Sequence, residues 1–471
     1  ANTLTTSADI VTAGTLSLLG DGIIIANNVT AKVLTVSSSA TDADAADQAL
    51  VVNNTKVLRT TAGAMTLKAV SILDDTAGVG EDVSVLVDGA NNLVIAGGAG
   101  SDANNIKIHS TAALRLGDIA VDDNDTVAVT SDLGLSVQDA ITAGGLMTVR
   151  GKTGVHFETN VTAKSLDVKA GDGSVFDQNI TSKATNAGVL TTTGDLTLRG
   201  KQISNITDTA GVNVSVTGGG ELSIDSTDGA GNVVITSAAA TLLGSIEGDA
   251  ASTITISAVT TTLGTANDNI TLGTLVLEGN AITVGHNLTA KALTLNSGTN
   301  VGTADGDAAL VVDADSALTT TAGDLTLQAA SIKDSGNAAI DVVVNAGNNL
   351  VVTADGGTGD ALITSAAALS LGTVVGDDAD IITITTTGGV ANDMTLAANI
   401  GSAKDTVLSL ISSGAITVAG SDRSISAGSL VITAAEAFSL DFDGAAGGGG
   451  NIVIDSKGAA TGNVAIAAAS V

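Results

Sequence analysis

The nonapeptide NVTAKVLTV at Asn28–Val36 returns as NVTAKSLDV at Asn160–Val168 and as NLTAKALTL at Asn287–Leu295, with a worn copy, SISAGSLVI, at Ser424–Ile432. The four starts are almost evenly spaced along the chain. A second block repeats independently: TTAGAMTLKAVSI from Thr60, TTTGDLTLRGKQI from Thr191 and TTAGDLTLQAASI from Thr320. A third runs IHSTAALRLG from Ile108, ITSAAATLLG from Ile235 and ITSAAALSLG from Ile363. Three blocks that keep one order and nearly one period mean a repeat architecture, in which each copy buries its apolar face against its neighbours in sequence. The 471 residues divide into three and a half units of about 130, at approximately 10–140, 141–268, 269–405 and 406–471. No linker-like stretch separates the units, so residues 1–471 read as one continuous domain.

Inside a unit the pattern has period two. Val83-Ser84-Val85-Leu86-Val87, Ile254-Thr255-Ile256 and Ile382-Thr383-Ile384-Thr385 alternate between clusters of Gly, Asn, Asp and Ser. That is strand-and-turn patterning. Helical spacing is hard to find, and 57 glycines would penalise helices throughout. The strand-and-turn elements recur at roughly 20–22 residues, the length of one coil of a β-solenoid. The fold class is therefore all-β, a single elongated parallel β-solenoid of roughly 20–22 coils. In the block from Asn287, Leu288, Ala290 and Ala292 are expected to face one way, with Leu293 and Leu295 restarting the phase after a corner. In the block from Thr320, Leu325, Leu327 and Ile332 are expected inside, with Thr326 and Gln328 facing water.

Composition agrees. The chain has no Pro, Trp, Tyr or Cys and only four Phe, although 44% of it is apolar. Aromatic side chains, at about 150–250 Å² each, normally dominate a broad core. Val, Ile, Leu and Ala alone suit a narrow one. Every coil of a solenoid bonds through its backbone to the coils on either side, and each Pro would delete a bond. A string of immunoglobulin-like sandwiches would need a core Trp or Tyr in each domain and linkers between domains. The lack of Cys excludes a disulfide framework, and the abundance of β-branched residues is unlike a disordered chain.

Eighteen Lys and Arg against 49 Asp and Glu give a net charge of −31. Nucleic-acid phosphates and anionic lipid repel such a chain. No apolar run approaches the roughly 18 residues of a membrane-spanning helix, so no membrane insertion is expected. The sequence opens Ala1-Asn2-Thr3 without Met and reads as a mature chain whose signal peptide has been removed. Coils such as AGTLSLLGDGIIIANNVTA and TTAGDLTLQAASIKD resemble the repeat regions of filamentous-haemagglutinin-like exoproteins and autotransporter adhesins of bacteria. The resemblance covers essentially the whole chain and lies in style and period, with no catalytic motif behind it. It implies a right-handed β-helix, secreted and displayed at the cell surface. The family's secretion domain carries Asn-Pro motifs, which a chain without Pro lacks. The expected role is an extracellular structural protein, the subunit of a surface filament or layer. The alternative is the shaft of an adhesin that binds host or surface ligands.

Some β-helices are polysaccharide-binding proteins or lyases, whose sites cluster carboxylates beside a basic residue and usually stack sugars on Tyr or Trp, both absent from this chain. Here Arg59, Arg115, Arg150, Arg199 and Arg423 stand singly, and no GxSxG or HExxH occurs. No enzymatic role is expected. His109, His156 and His286 occupy no repeated position and have no metal-ligand spacing around them, so they read as plain surface residues. The acidic turns are the candidate metal sites. Asp122, Asp123 and Asp125, and at the equivalent place Asp377, Asp378 and Asp380, offer the oxygen-only donors that Ca²⁺ takes. The competing reading has no cofactor, the acidic corners serving only to keep a β-protein soluble and block sideways pairing. Glycosylation sequons at Asn28, Asn160 and Asn287 recur at one place in three units, although chance explains most sequons in a chain so rich in Asn and Thr.

The first residues, with Leu4 and Ile10, and the last, with Val464 and Ile466, already read as coil without a cap. Open strand edges invite pairing. Both ends are therefore expected to be completed by neighbours, either another copy stacked head to tail or more of the same chain. A head-to-tail contact does not close on itself and generates a filament, so the expected partner is the chain itself.

Overall fold

The computed structural model describes residues 3–38, 49–75, 82–97, 105–122, 125–183, 188–206, 211–298, 309–354, 359–376, 380–401, 406–419, 423–439, 453–456 and 464–470. These residues form strands and turns without a helix, in a parallel β-solenoid of about 17 turns, in line with the expected right-handed β-helix. The strand Thr3–Thr5 pairs with Gly22–Ile25, Ile10–Val11 with Val29–Ala31, and Thr15–Gly20 with Val33–Ser38, all in parallel. Three strands thus make one turn, and the next turn lies over it at the ordinary strand separation of about 4.8 Å.

The turns depart from the sequence spacing. Among the described residues the solenoid has about 17 turns, fewer than the expected coils. Individual steps show why. Leu4 stacks on Ile23, Ile23 on Leu50 and Ile72 on Ile106, and in that order each step spans more chain than the one before. Part of the difference falls inside the strands, where the register slips by one residue between Leu93 on Leu116 and Ile95 on Ile119.

The chain falls into two compact units, Ala1–Ser237 and Ala238–Val471. In the first, Leu34, Met65, Leu93 and Leu116 stack in one row, with Val36, Leu67, Ile95 and Ile119 in the row beside it. None of the eight is more than 1% exposed. The second unit builds the same pair of rows from the equivalent residues, Leu293, Leu325, Leu350 and Leu371 beside Leu295, Leu327, Val352 and Val374. Thr326 and Gln328 lie between them, half-buried on the outer side, as alternation requires. Ile332 is buried as expected. Ala292 is a correction. Leu288 and Ala290 are buried, but Ala292 is half-buried and opens the next strand, Ala292–Ser297. The corner falls at Lys291, earlier than the expected phase allowed.

The rows of the first unit do not continue straight from one repeat into the next. Leu166, the counterpart of Leu34, sits over Met147, Val127, Ile106, Ile72 and Leu50, on a neighbouring face. The change occurs at the strand Asn105–Ser110, which rests on two strands at once, meeting Ser71–Asp74 through Ile106 and Val83–Leu86 through Ile108. The following strand, Leu114–Val121, in turn carries both Leu135–Val137 and Ile141–Gly151. Two faces merge and one divides, so a repeat ends one face away from where it began.

Candidate functional site

Outside the core, the residues that recur between repeats sit at corners and bind one turn to the next. The backbone carbonyl of Asn28 accepts from Ile10 N–H at 2.9 Å, and its side-chain Oδ1 accepts from Val57 N–H at 3.1 Å on the opposite side. Asn160 does the same with Ile141 at 3.1 Å and Val189 at 3.0 Å, and Asn287 with Asn269 and Ala317, both at 2.9 Å. Each asparagine ties three turns together. Asp9 and Asp268 accept from the N–H of Asn28 and Asn287 at 3.0 Å. Asp195 and Asp324 accept from Glu221 N–H at 3.1 Å and Asn349 N–H at 2.8 Å. The hydroxyls of Thr6 and Thr265 take Ala26 N–H at 2.9 Å and Gly285 N–H at 3.0 Å. The backbone ladder is interrupted at a corner, so these side chains supply the acceptors that its amides need. The sequence reading found the three asparagines as the first residue of the recurring nonapeptide and as sequons, without a structural role. A usable signal was present, since Asp9 and Asp268 precede their asparagines by the same interval.

The acidic corners are described in part. Asp122 and Asp125 share a turn, closed by Asp125 N–H donating to the Asp122 carbonyl at 3.2 Å. Asp125 is 1% exposed and Asp380 0%, so these two lie on the inner side of the corner instead of facing water. Asp123, Asp377 and Asp378 lie outside the described residues. Among the described residues, no three His, Cys, Asp or Glu side chains gather where they could hold a metal ion. Of the residues proposed for assembly, Leu4 pairs with Ile23 and Ile10 with Val29, both half-buried. Val464 and Ile466 pair with Leu430 and Ile432.

The three histidines lie on the outer surface, and two of them are members of polar ladders on the first unit. His109 Nε2 and Lys152 Nζ both reach Asp132 Oδ1, at 3.2 and 2.7 Å. His156 Nδ1 lies 2.9 Å from Thr181 Oγ1, and its Nε2 lies 3.1 Å from Glu158 Oε1. His286 stands 4.0 Å from Asp268. The hydrogen bond from Lys152, followed by that from His109, holds the Asp132 carboxyl below the usual range, and Asp132 in turn raises Lys152. His156, assisted by Lys183, lowers Glu158 in the same way. A carboxylate with a lowered folded pKa stabilises the fold above its unfolded pKa, and the contribution disappears as pH falls through the folded value. Thermal melts are therefore expected to show stability falling from about pH 4.5 downward. The double variant Asp132→Asn, Glu158→Gln should flatten that decline by no more than about 1 kcal/mol, because both groups are partly exposed. An unchanged acid limb in the variant would remove these two carboxylates as its cause.

Beside the His156 ladder lies a groove of about 440 Å³. Its side is one outward row, Arg115 under Ser136, Ser136 under His156 and His156 under Thr181. Its other side is the corner carrying Gly134, Thr153 and Gly154. Arg115 Nη2 donates to Gln138 Oε1 at 2.5 Å and Nε to Asn92 Oδ1 at 3.5 Å, and Gln138 Nε2 donates to Ser136 Oγ. The sequence reading set Arg115 aside as a scattered residue. No family model, curated protein or solved structure matches the chain.

Proposed function

We propose that the chain is an extracellular structural protein, a subunit of a surface filament or layer in which solenoids stack end to end. The observation that carries this reading is where the recurring residues go. They form the core rows and the corner clamps of Asn28, Asn160 and Asn287, and so they serve stacking itself. Repeats that hold turn upon turn suit a scaffold. The parallel ladder supports the mode of assembly. An open turn presents N–H and C=O groups in the register that the next turn uses, and a turn of another copy complements it. Such a contact is heterologous and extends into fibres. The likeness of the coils to bacterial surface β-helices supports the location.

The double variant Val464→Asp, Ile466→Asp is expected to abolish fibres in electron micrographs while leaving the circular dichroism of the solenoid intact. Native chain that sediments as a monomer at high concentration would end the filament reading.

A further inference from the structure

We propose that the groove along Arg115, Ser136, His156 and Thr181 binds an acidic glycan strand, a polyhydroxylated chain that carries carboxylates. Arg150 and Arg199 of the same unit are each met by a carboxylate, Asp172 at 3.4 Å and Asp167 at 3.0 Å. Arg115 is held by the neutral amide oxygens of Asn92 and Gln138, and among the described residues no carboxylate lies within ion-pair distance of it. Its guanidinium is fixed in place by these two bonds, with the Asp139 carboxylate one step behind it on Asn92 Nδ2 at 2.8 Å, and so it is pre-organised for an anion. The setting favours this. Residues 1–237 hold 13 of the 18 Lys and Arg, and residues 150–201 carry seven of them against five acidic residues in a chain of net charge −31.

The row follows the stacking direction, so its four rungs span about 14 Å at the ordinary strand separation. That length suits an extended ligand. Beyond Arg115 the rungs carry the Ser136 hydroxyl, which accepts from Gln138, the His156 imidazole, bonded through its two nitrogens to Thr181 and Glu158, and the Thr181 hydroxyl, with the Asn179 carboxamide alongside. Groups that donate and accept in turn match sugar hydroxyls. A nucleic-acid strand would call for aromatic platforms and a dense run of cations, and the lining holds no Phe, Tyr or Trp and a single Arg. An extended peptide would pair with a free strand edge, whereas Leu135–Val137 and Val155–Phe157 are paired on both sides.

The test is isothermal titration of the full chain with hexagalacturonate, with maltohexaose as the neutral probe of equal length. The uronate is expected to bind at least about tenfold tighter than the neutral sugar. Arg115→Gln, which keeps amide donors and removes the charge, should weaken uronate binding about tenfold with a melting curve close to that of the unaltered chain. Thr153→Asp, at an exposed position in the lining, puts a repelling charge in the groove and should weaken it comparably without touching the Arg115 bonds. Lys291→Gln, in the second unit, should leave binding unchanged. The proposal is overturned if the charged and neutral sugars bind alike, if neither binds at millimolar concentration, or if Thr153→Asp and Arg115→Gln both bind the uronate as tightly as the unaltered chain.

Discussion

Leu327→Asp is expected to cost several kcal/mol and to broaden or abolish the cooperative melt of the chain. Leu327 is 0% exposed, with Leu295 and Val352 stacked on either side of it and Leu325 in the row alongside. A carboxylate there would lose its water and find no donor, while the volume of the leucine would also be lost. Each of these penalties alone runs to roughly 2–5 kcal/mol. The neighbouring change Gln328→Asp lies on the outer side of the same strand, between Asn296 and Thr353. It should stay within about 0.5 kcal/mol. Urea or thermal melts of the two variants make the comparison. Equal losses would mean that the inner and outer faces of this strand have been exchanged.

A single methyl group is expected to do comparable damage at Gly145. A Cβ there would lie 1.9 Å from the carbonyl oxygen of Asp125 and 2.8 Å from its carbonyl carbon. Both atoms are backbone, so they cannot move aside without dragging the adjoining ladder, in which Val127 lies against Met147. Gly273 repeats the arrangement, with its added Cβ 2.3 Å from the carbonyl oxygen of Ser252. Gly145→Ala should cost roughly 2–4 kcal/mol, the upper part of the range for overpacking. Gly264→Ala is the control, since its nearest neighbour is a movable Leu242 methyl at 3.4 Å. That change should be neutral or mildly stabilising, by up to about 1 kcal/mol. A lower melting temperature for Gly264→Ala than for Gly145→Ala would show that turn spacing does not govern these glycines.

The fold class was legible because its signals are local. Alternation assigns Leu325 and Leu327 to the inside and Thr326 to the outside within a single strand, wherever that strand goes. The number of turns was not legible, because nothing within the strand Ser71–Asp74 says how much chain must pass before Ile72 meets Ile106. Ala292 was misplaced for a related reason, since a corner that consumes a single position reverses the phase. The candidate site was hidden by the same irregularity. Arg115, Ser136, His156 and Thr181 are unevenly spaced along the chain, so no fixed period picks them out. The clamp of Asn28 is visible as a letter, but its acceptor role depends on Val57, which only the stacking brings to it.

The merging and dividing of faces at Asn105–Ser110 makes the long repeat incommensurate with the turn. A chain enlarged by copying this unit does not lay the copy's side chains over their originals. It indexes them to the next side, as advancing a thread brings a mark on a screw to a new bearing. In the first unit Thr35 and its counterpart Asp167 therefore look out from different faces, although they hold the same place in the repeat. Duplication alone cannot extend one repeat's surface into a continuous strip, whether adhesive or charged. A partner lying alongside meets a changing sequence of textures, and a binding feature such as the Arg115 groove stays a single address.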